Sequence, residues 1–74
     1  MNFKIDSLDM INNLRKGDII MQYANDKEEY IIQSINDILV SVFRVTTKAL
    51  KIFPITHLIT DNWFVESNNG NLSV

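Results

Sequence analysis

The sequence predicts a mainly β fold, and three observations support this. Short segments rich in β-branched and aromatic residues follow one another from residue 18 to residue 66. Turn-forming groups such as Asn25-Asp26 and Asn36-Asp37 separate these segments. The chain has 74 residues and is 46% hydrophobic, so it can hold one small core and is too apolar for a disordered protein. We therefore expect a single domain over residues 1–66 and a flexible polar tail over residues 67–74.

Residues 7–14 predict a short N-terminal helix. Ser7 is a good N-cap residue. Leu8, Ile11 and Leu14 recur at a spacing that places them on one helical face. The pattern ends at Gly17-Asp18, where a β pattern begins.

The remaining segments predict five strands, over residues 18–23, 29–35, 38–46, 49–53 and 63–66. Pro54 has no backbone N–H, so the fourth strand is expected to stop before it. Residues 55–59 have room for no more than one helical or 3₁₀ turn. Several short strands joined by tight turns indicate a small closed or half-open barrel, an arrangement that protects the edges of a small sheet.

The longest predicted strand, over residues 38–46, is apolar on both faces. Side chains alternate between the two faces of a strand, which gives an inner set and an outer set: Ile38, Val40, Val42 and Arg44 inward, and Leu39, Ser41, Phe43 and Val45 outward. Both faces therefore need cover. The N-terminal helix can cover one of them, or a partner can.

Two stretches resemble SH3-like small barrels. Lys16-Gly17-Asp18-Ile19-Ile20 is similar to the stretch that opens the strand after the first long loop of an SH3 domain. Ile52-Phe53-Pro54-Ile55-Thr56-His57-Leu58 is similar to the stretch that forms its 3₁₀ turn. The resemblance implies an SH3-like five-stranded barrel with a 3₁₀ turn before the last strand. The stacked aromatic residues of a proline-peptide groove are missing, so binding of polyproline is not implied.

The order of a helix followed by five strands is also similar to Sm-like barrels. The Asp and strand Gly of that family's RNA-contacting motif are absent from this sequence, and so is its Tyr-Lys-His triplet. The resemblance to Sm-like proteins therefore extends to the layout and not to the RNA-binding residues.

Composition excludes several kinds of site. The chain has no cysteine, which rules out disulfides, thiol nucleophiles and thiolate metal sites. His57 is the only histidine and lies four residues before Asp61, a spacing at which the two can face each other on a helical turn, but no nucleophile is arranged beside the pair. Asp26, Glu28 and Glu29 flank a turn but lack the alternating ligands and the glycine of a calcium loop. We expect no enzymatic activity, no cofactor and no metal.

Charge and hydropathy narrow the partners and the location. Four basic and seven acidic residues over residues 1–37 give −3, and three basic and two acidic residues over residues 38–74 give +1. This near-neutral second half is a weak basis for binding nucleic acid. No apolar run is long enough to span a membrane, and charges interrupt any N-terminal signal, so we expect a cytoplasmic protein that does not bind membranes.

The candidate interaction surface consists of aromatic and cationic residues: Tyr23, Tyr30, Phe43, Arg44, His57 and Trp63. We expect a non-enzymatic module that binds another protein, or a second copy of itself, through an apolar sheet face or an open edge strand. Small chains rich in Asn, Ile and Lys resemble accessory proteins of phages and mobile elements, which implies a host protein as the target. The alternative is a nucleic-acid-binding small barrel, in which the aromatic rings stack on bases beside Arg44, Lys48 and Lys51.

Overall fold

A computed structural model describes residues 2–23 and 27–66, which form six strands and two short helices. In chain order these are β1 (Asn2–Lys4), α1 (Leu8–Asn12), β2 (Ile19–Tyr23), β3 (Lys27–Ile35), β4 (Leu39–Arg44), β5 (Leu50–Pro54), α2 (His57–Thr60) and β6 (Trp63–Glu66). The fold is mainly β, as the sequence predicts. The predicted tail over residues 67–74 and the turn residues Asn25 and Asp26 lie outside the described residues.

All six strands form one antiparallel sheet in the order β1-β6-β2-β3-β4-β5. Strands β2 to β5 follow one another as neighbours, and β6 returns to pair with β2 through Val65 opposite Ile20. Strand β1 adds to the other side of β6, with Phe3 opposite Val65. The predicted count of five strands is therefore wrong. Strand β1 was not predicted because three residues are too few for alternation to indicate a strand, and the segment is extended here through its pairing with β6.

The sheet is open, with β1 and β5 at its two edges, but it is strongly curled. Three strands separate β5 from β6, which in a flat sheet places them roughly 19 Å apart. The ring of Phe53 on β5 nevertheless stacks on that of Trp63 on β6, with 5.5 Å between centroids. This contact across the inner side shows that the sheet wraps around its core without closing into a hydrogen-bonded barrel.

One core cluster fills the inner side of the curled sheet. Its buried members come from six of the elements and from the segments next to them: Ile5, Ile11, Leu14, Ile20, Tyr30, Ile32, Val40, Val42, Leu58, Trp63 and Val65. Ile38 was predicted to point inward but is 71% exposed. It precedes β4 in a bend where its N–H donates to Oδ1 of Asn36 at 2.7 Å, so it lies outside the alternation of the strand.

Helix α1 is shorter than the predicted range of residues 7–14. The hydroxyl of Ser7 caps it by accepting a bond from the N–H of Met10 at 3.3 Å. Ile11 and Leu14 pack into the core, whereas Leu8 is 57% exposed. The predicted three-residue apolar face is thus corrected to two residues. Five residues make little more than one turn, and only the end of the helix that leads to β2 reaches the core.

Two hydrogen bonds join the turn at Gly17 to β3, and a side-chain bond closes the turn itself. The N–H of Gly17 donates to the carbonyl of Ile32 at 2.8 Å, and the N–H of Ile32 donates to the carbonyl of Asp18 at 2.9 Å. The buried carboxylate of Asp18 accepts a bond from the N–H of Arg15 at 2.9 Å. The two bonds to Ile32 meet β3 where its register with β4 shifts between Ile32 and Ser34. The turn therefore holds β3 at its irregularity.

Replacing Gly17 with alanine is expected to lower the free energy of unfolding by about 1–2 kcal/mol. Gly17 has a φ of 96°, which an L side chain rarely adopts, and no atom lies within 4 Å of an added Cβ. The cost is therefore conformational and not steric. Urea denaturation followed by circular dichroism measures it, with the exposed neighbour Lys16→Ala as control, for which a change within about 0.5 kcal/mol is expected. Equal midpoints for the two variants would contradict this role of Gly17.

Strand β5 includes Pro54, one residue beyond the predicted end, and begins at Leu50. Pro54 lies opposite Leu39 in the β4–β5 register. It is tolerated because β5 is an edge strand and the backbone nitrogen of residue 54 faces away from β4, so no ladder bond is lost. The bounds of the other predicted strands differ from the structure by no more than two residues at either end.

The segment after β5 forms one helical turn, α2. The N–H of Leu58 donates to the carbonyl of Ile55 at 3.0 Å, which is a 3₁₀-type bond. The N–H of Asp61 donates to the carbonyl of His57 at 3.0 Å, which is an α-type bond. The predicted 3₁₀ turn is therefore a single α-helical turn that is entered through 3₁₀-type bonds.

Candidate interaction surface

The six candidate residues predicted from the sequence fall in different environments. Tyr30 and Trp63 are 4% and 3% exposed and belong to the core, so their rings offer little surface to a partner. Phe43 is half-buried on the outer side of the sheet, and His57 is exposed on α2. The side chain of Tyr23 lies outside the described part of the structure. The set is thus divided between core and surface.

Four aromatic side chains join β3, β5, β6 and α2 on the inner side. Trp63 packs edge-on against Tyr30 with 5.0 Å between ring centroids, and stacks on Phe53. Phe53 also stacks on the ring of His57 at 6.3 Å. This cluster spans the gap where the curled sheet is open, and it stabilises the curl through contacts between strands that do not pair.

Two of the cationic side chains that were candidates for binding nucleic acid lie together over the ring of Tyr30. The guanidinium carbon of Arg44 is 5.9 Å and the Nζ of Lys51 is 5.4 Å from the ring centroid. Arg44 also forms an ion pair with Glu28, with 3.4 Å between Nε and Oε2. Arg44 lies at the end of the inner face, as alternation predicts. Its charge is partly balanced within the protein.

An open groove of about 310 Å³ lies between β5, α2 and the start of β6. It is lined by Gln22, Lys51, Ile52, Phe53, His57, Asp61 and Trp63. His57 and Asp61 face each other as their spacing predicts, with 3.7 Å between Nδ1 and Oδ2, and both are about half exposed. Among the described residues, those that line this groove include no hydroxyl or thiol side chain.

A second feature lies on the outer side of the sheet, where apolar residues form a ladder across four strands. Ile19 on β2 lies opposite Ile31 on β3, Ile31 lies opposite Phe43 on β4, and Phe43 lies opposite Leu50 on β5. Directly opposite residues in a sheet share a face. The four side chains therefore form one continuous apolar row.

The row widens at the β5 edge. Ile52 lies opposite Ser41, and Pro54 lies opposite Leu39, on the same outer side. We name the set the outer apolar surface: Ile19, Ile31, Leu39, Phe43, Leu50, Ile52 and Pro54. Leu39, Leu50 and Ile52 are 42%, 55% and 62% exposed, which is high for residues of this size.

The sequence predicts only part of the outer apolar surface. Alternation along residues 38–46 directs Leu39 and Phe43 outward. The missed signal is the alternation of Leu50, Ile52 and Pro54 around Lys51 and Phe53, which in a strand puts the first three on one face. Ile11 on α1 and Leu14 in the segment after it pack on the inner side, and no helix of the described residues packs over Leu39, Leu50 and Ile52 on the outer face.

A carboxylate pair lies beside this surface. Partial burial, together with the hydrogen bond and the negative charge of Glu29, raises the pKa of Glu66 above its usual 4.5. Glu29 lies opposite Met21, and Met21 lies opposite Phe64, which places the pair near the β6 end of the outer side.

Replacing Glu66 with glutamine is expected to raise stability at neutral pH and to flatten its dependence on pH. The carboxyl of Glu66 binds its proton more tightly in the folded protein than in the unfolded chain, so protonation favours the folded state. This stabilisation is complete below the pKa of Glu66 in the unfolded chain, and it is lost as the pH rises from 4.5 through the raised pKa in the folded protein. Thermal unfolding of both proteins in steps between about pH 4 and pH 7 measures the difference. Parallel curves for the two proteins would show that Glu66 does not titrate with a raised pKa.

Other kinds of site receive no support from the described residues. In residues 2–23 and 27–66, no group of three or more His, Asp or Glu side chains is placed to hold a metal ion. The helices of this part of the chain, of five and four residues, are too short to cross a membrane. Comparison of the chain with protein-family models, curated proteins and solved structures found no match.

Proposed function

We propose that the chain is a small non-enzymatic interaction module that binds another protein through the outer apolar surface. The observation that carries this proposal is the apolar row Ile19, Ile31, Phe43 and Leu50, together with the exposure of Leu39 and Ile52 beside it. Contiguous exposed apolar area on a small protein is typical of a docking site.

The layering of the fold supports the same conclusion. A sheet with apolar residues on both faces needs cover on both. Ile11 on α1 and Leu14 in the segment after it pack on the inner side. From β2 to β5 the outer row crosses three strand spacings, or roughly 14 Å, which is wide enough to seat a helix or a strand of a partner.

We also propose an SH3-like type of fold and a host protein as the partner. The curled sheet, the Gly17 turn before β2 and the helical turn before β6 support an open variant of an SH3-like small barrel. The composition, rich in Asn and Ile, resembles that of accessory proteins of phages and mobile elements. We therefore take a host protein as the expected partner, which the module would modulate by occupying one of its surfaces.

Site-specific photo-cross-linking tests the outer apolar surface. A photoreactive amino acid at Leu39 is expected to cross-link another protein in cells of the source organism. The same amino acid at Leu8, an exposed apolar residue on α1, serves as the matched control and is expected not to cross-link. Equal cross-linking from both positions, or none from Leu39, would contradict the proposal.

A nucleic-acid-binding module is the second candidate, favoured by the convergence of Arg44 and Lys51 on Tyr30. An electrophoretic shift with single-stranded RNA or DNA, titrated against salt, tests it. Binding that weakens with salt and is abolished by replacing Arg44, Lys48 and Lys51 together would support this candidate. Absence of a shift at micromolar protein would exclude it.

A further inference from the structure

Strand β5 forms one edge of the sheet, and its hydrogen bonds to β4 show which backbone groups face outward. The N–H of Arg44 donates to the carbonyl of Ala49 at 2.9 Å, and the N–H of Ile55 donates to the carbonyl of Ile38 at 3.0 Å. Bonded and non-bonded pairs alternate along an antiparallel ladder. The odd-numbered residues from 49 to 55 therefore direct their backbone groups toward β4, and the even-numbered residues direct theirs toward the open edge.

The open edge thus presents the backbone groups of Leu50, Ile52 and Pro54. Leu50 and Ile52 each offer an N–H and a carbonyl, whereas Pro54 offers a carbonyl only. Among the described residues no strand pairs with this side of β5. An exposed apolar edge with free donors is a template for pairing with another strand.

We propose that β5 pairs with β5 of a second copy of this chain, antiparallel, about a two-fold axis at Ile52. Each Ile52 exchanges two hydrogen bonds with Ile52 of the other copy. Each Leu50 N–H donates to the carbonyl of Pro54 of the other copy. All four outward N–H groups of the two edges are then satisfied, and the missing N–H of Pro54 leaves no donor unpaired. The choice of the β5 side as the interacting side rests on the proposed function.

Charge and donor count select this register over its neighbours. An axis at Lys51 places the two Lys51 side chains directly opposite each other, which is unfavourable for like charges. An axis at Phe53 places Ile52 opposite Pro54, so the pair forms one bond instead of two. With the axis at Ile52, each Lys51 lies opposite Phe53 of the other copy, and no like charges face each other along the strand.

The contact is small, so the dimer is weak. Five paired residues extend over roughly 17 Å. They bury much less than the roughly 800 Å² per partner of a stable complex. We therefore expect a weak dimer, with a dissociation constant on the order of 0.1 mM. Pairing also joins Leu50, Ile52 and Pro54 of the two copies on the outer side, so the outer apolar surface becomes continuous across the two-fold axis.

Sedimentation equilibrium of the full chain between about 10 μM and 1 mM tests the dimer. We expect Ile52→Pro to weaken self-association at least tenfold. It removes both central donors, while the backbone groups of residue 52 take no part in the bonds to β4. We expect Pro54→Ala to strengthen self-association by about tenfold, because it supplies two donors for the carbonyls of Leu50. Circular dichroism of both variants shows whether they fold.

These variants also define the results that would overturn the dimer. If the wild-type chain and the Pro54→Ala variant both stay monomeric at 1 mM, the dimer is excluded. A folded Ile52→Pro variant that associates as tightly as the wild type shows that another surface is used. A monomeric chain that still cross-links another protein from Leu39 overturns only the dimer. A dimer that cross-links no other protein from Leu39 overturns only the proposed function.

Single-cysteine variants test the register, since the chain has no cysteine of its own. Under mild oxidation Ile52→Cys is expected to form a disulfide dimer, because directly opposite residues of a bonded pair lie about 5.5 Å apart at Cα. Leu50→Cys faces Pro54 of the other copy and is expected to remain mostly monomeric. Faster cross-linking from residue 50 than from residue 52 would overturn the register.

Discussion

Replacing Trp63 with alanine is expected to lower the free energy of unfolding by about 3–5 kcal/mol. Trp63 is 3% exposed and contacts Tyr30 on β3 and Phe53 on β5, so it joins β6 to two strands with which β6 does not pair. Removing the indole opens a cavity and also removes the contacts that keep the sheet curled. A domain of this size has a total stability of roughly 4–11 kcal/mol, so the variant is expected to lose between a quarter and all of its stability.

Urea denaturation followed by far-ultraviolet circular dichroism measures this loss, because Trp63 is the only tryptophan and the variant has no indole fluorescence. Trp63→Phe is the matched variant. It keeps a ring that can stack on Phe53, and it is expected to retain more than half of the stability that the alanine variant loses. A Trp63→Ala protein within about 1 kcal/mol of the wild type would show that the curl does not depend on this side chain.

Replacing Leu39 and Ile52 together with lysine is expected to abolish binding of the partner and to leave the fold intact. Both side chains lie on the outer apolar surface and are more than two-fifths exposed, so each substitution is expected to change the free energy of unfolding by no more than about 0.5 kcal/mol. Two charges placed in the contact would be desolvated on docking. At least a hundredfold loss of affinity for the partner identified by cross-linking follows.

The control for this variant is Leu8→Lys, an apolar-to-lysine change on α1 at a residue that is 57% exposed. We expect it to bind the partner with the affinity of the wild type. Calorimetric titration of the three proteins, with thermal unfolding as a check on folding, measures the difference. Undiminished binding by the Leu39 and Ile52 variant would exclude the outer apolar surface as the docking site.

Elements with a strong local signal could be predicted from the sequence. Ser7 marked the start of α1, and β-branched runs marked β2 to β5, because capping and strand preference act over a few residues. Alternation along residues 39–44 assigned Val40 and Val42 to the core, and both are fully buried. The approach of His57 and Asp61 also followed from spacing alone, since four residues make about one helical turn.

Features that depend on distant pairing could not be predicted. Strand β1 exists through its register with β6, and Pro54 is tolerated within β5 because no strand of residues 2–23 and 27–66 pairs with the far side of β5. Tyr30 and Trp63 were candidates for a partner surface, but the curl of the sheet buries them against each other. Local pattern does not show which distant strands pair or which aromatic rings come into contact.

The sequence by itself determined the mainly β character of the chain, its cap, its turns and the chemistry that it lacks, because these depend on residue type and on near neighbours. Only the tertiary structure decided that the sheet stays open, that α1 covers the inner face alone and that β5 is an edge. These three facts leave Leu39, Leu50 and Ile52 exposed together. Their exposure depends on contacts between residues that are far apart in the chain. In a domain whose sheet is apolar on both faces, such contacts decide which face is left open to a partner protein.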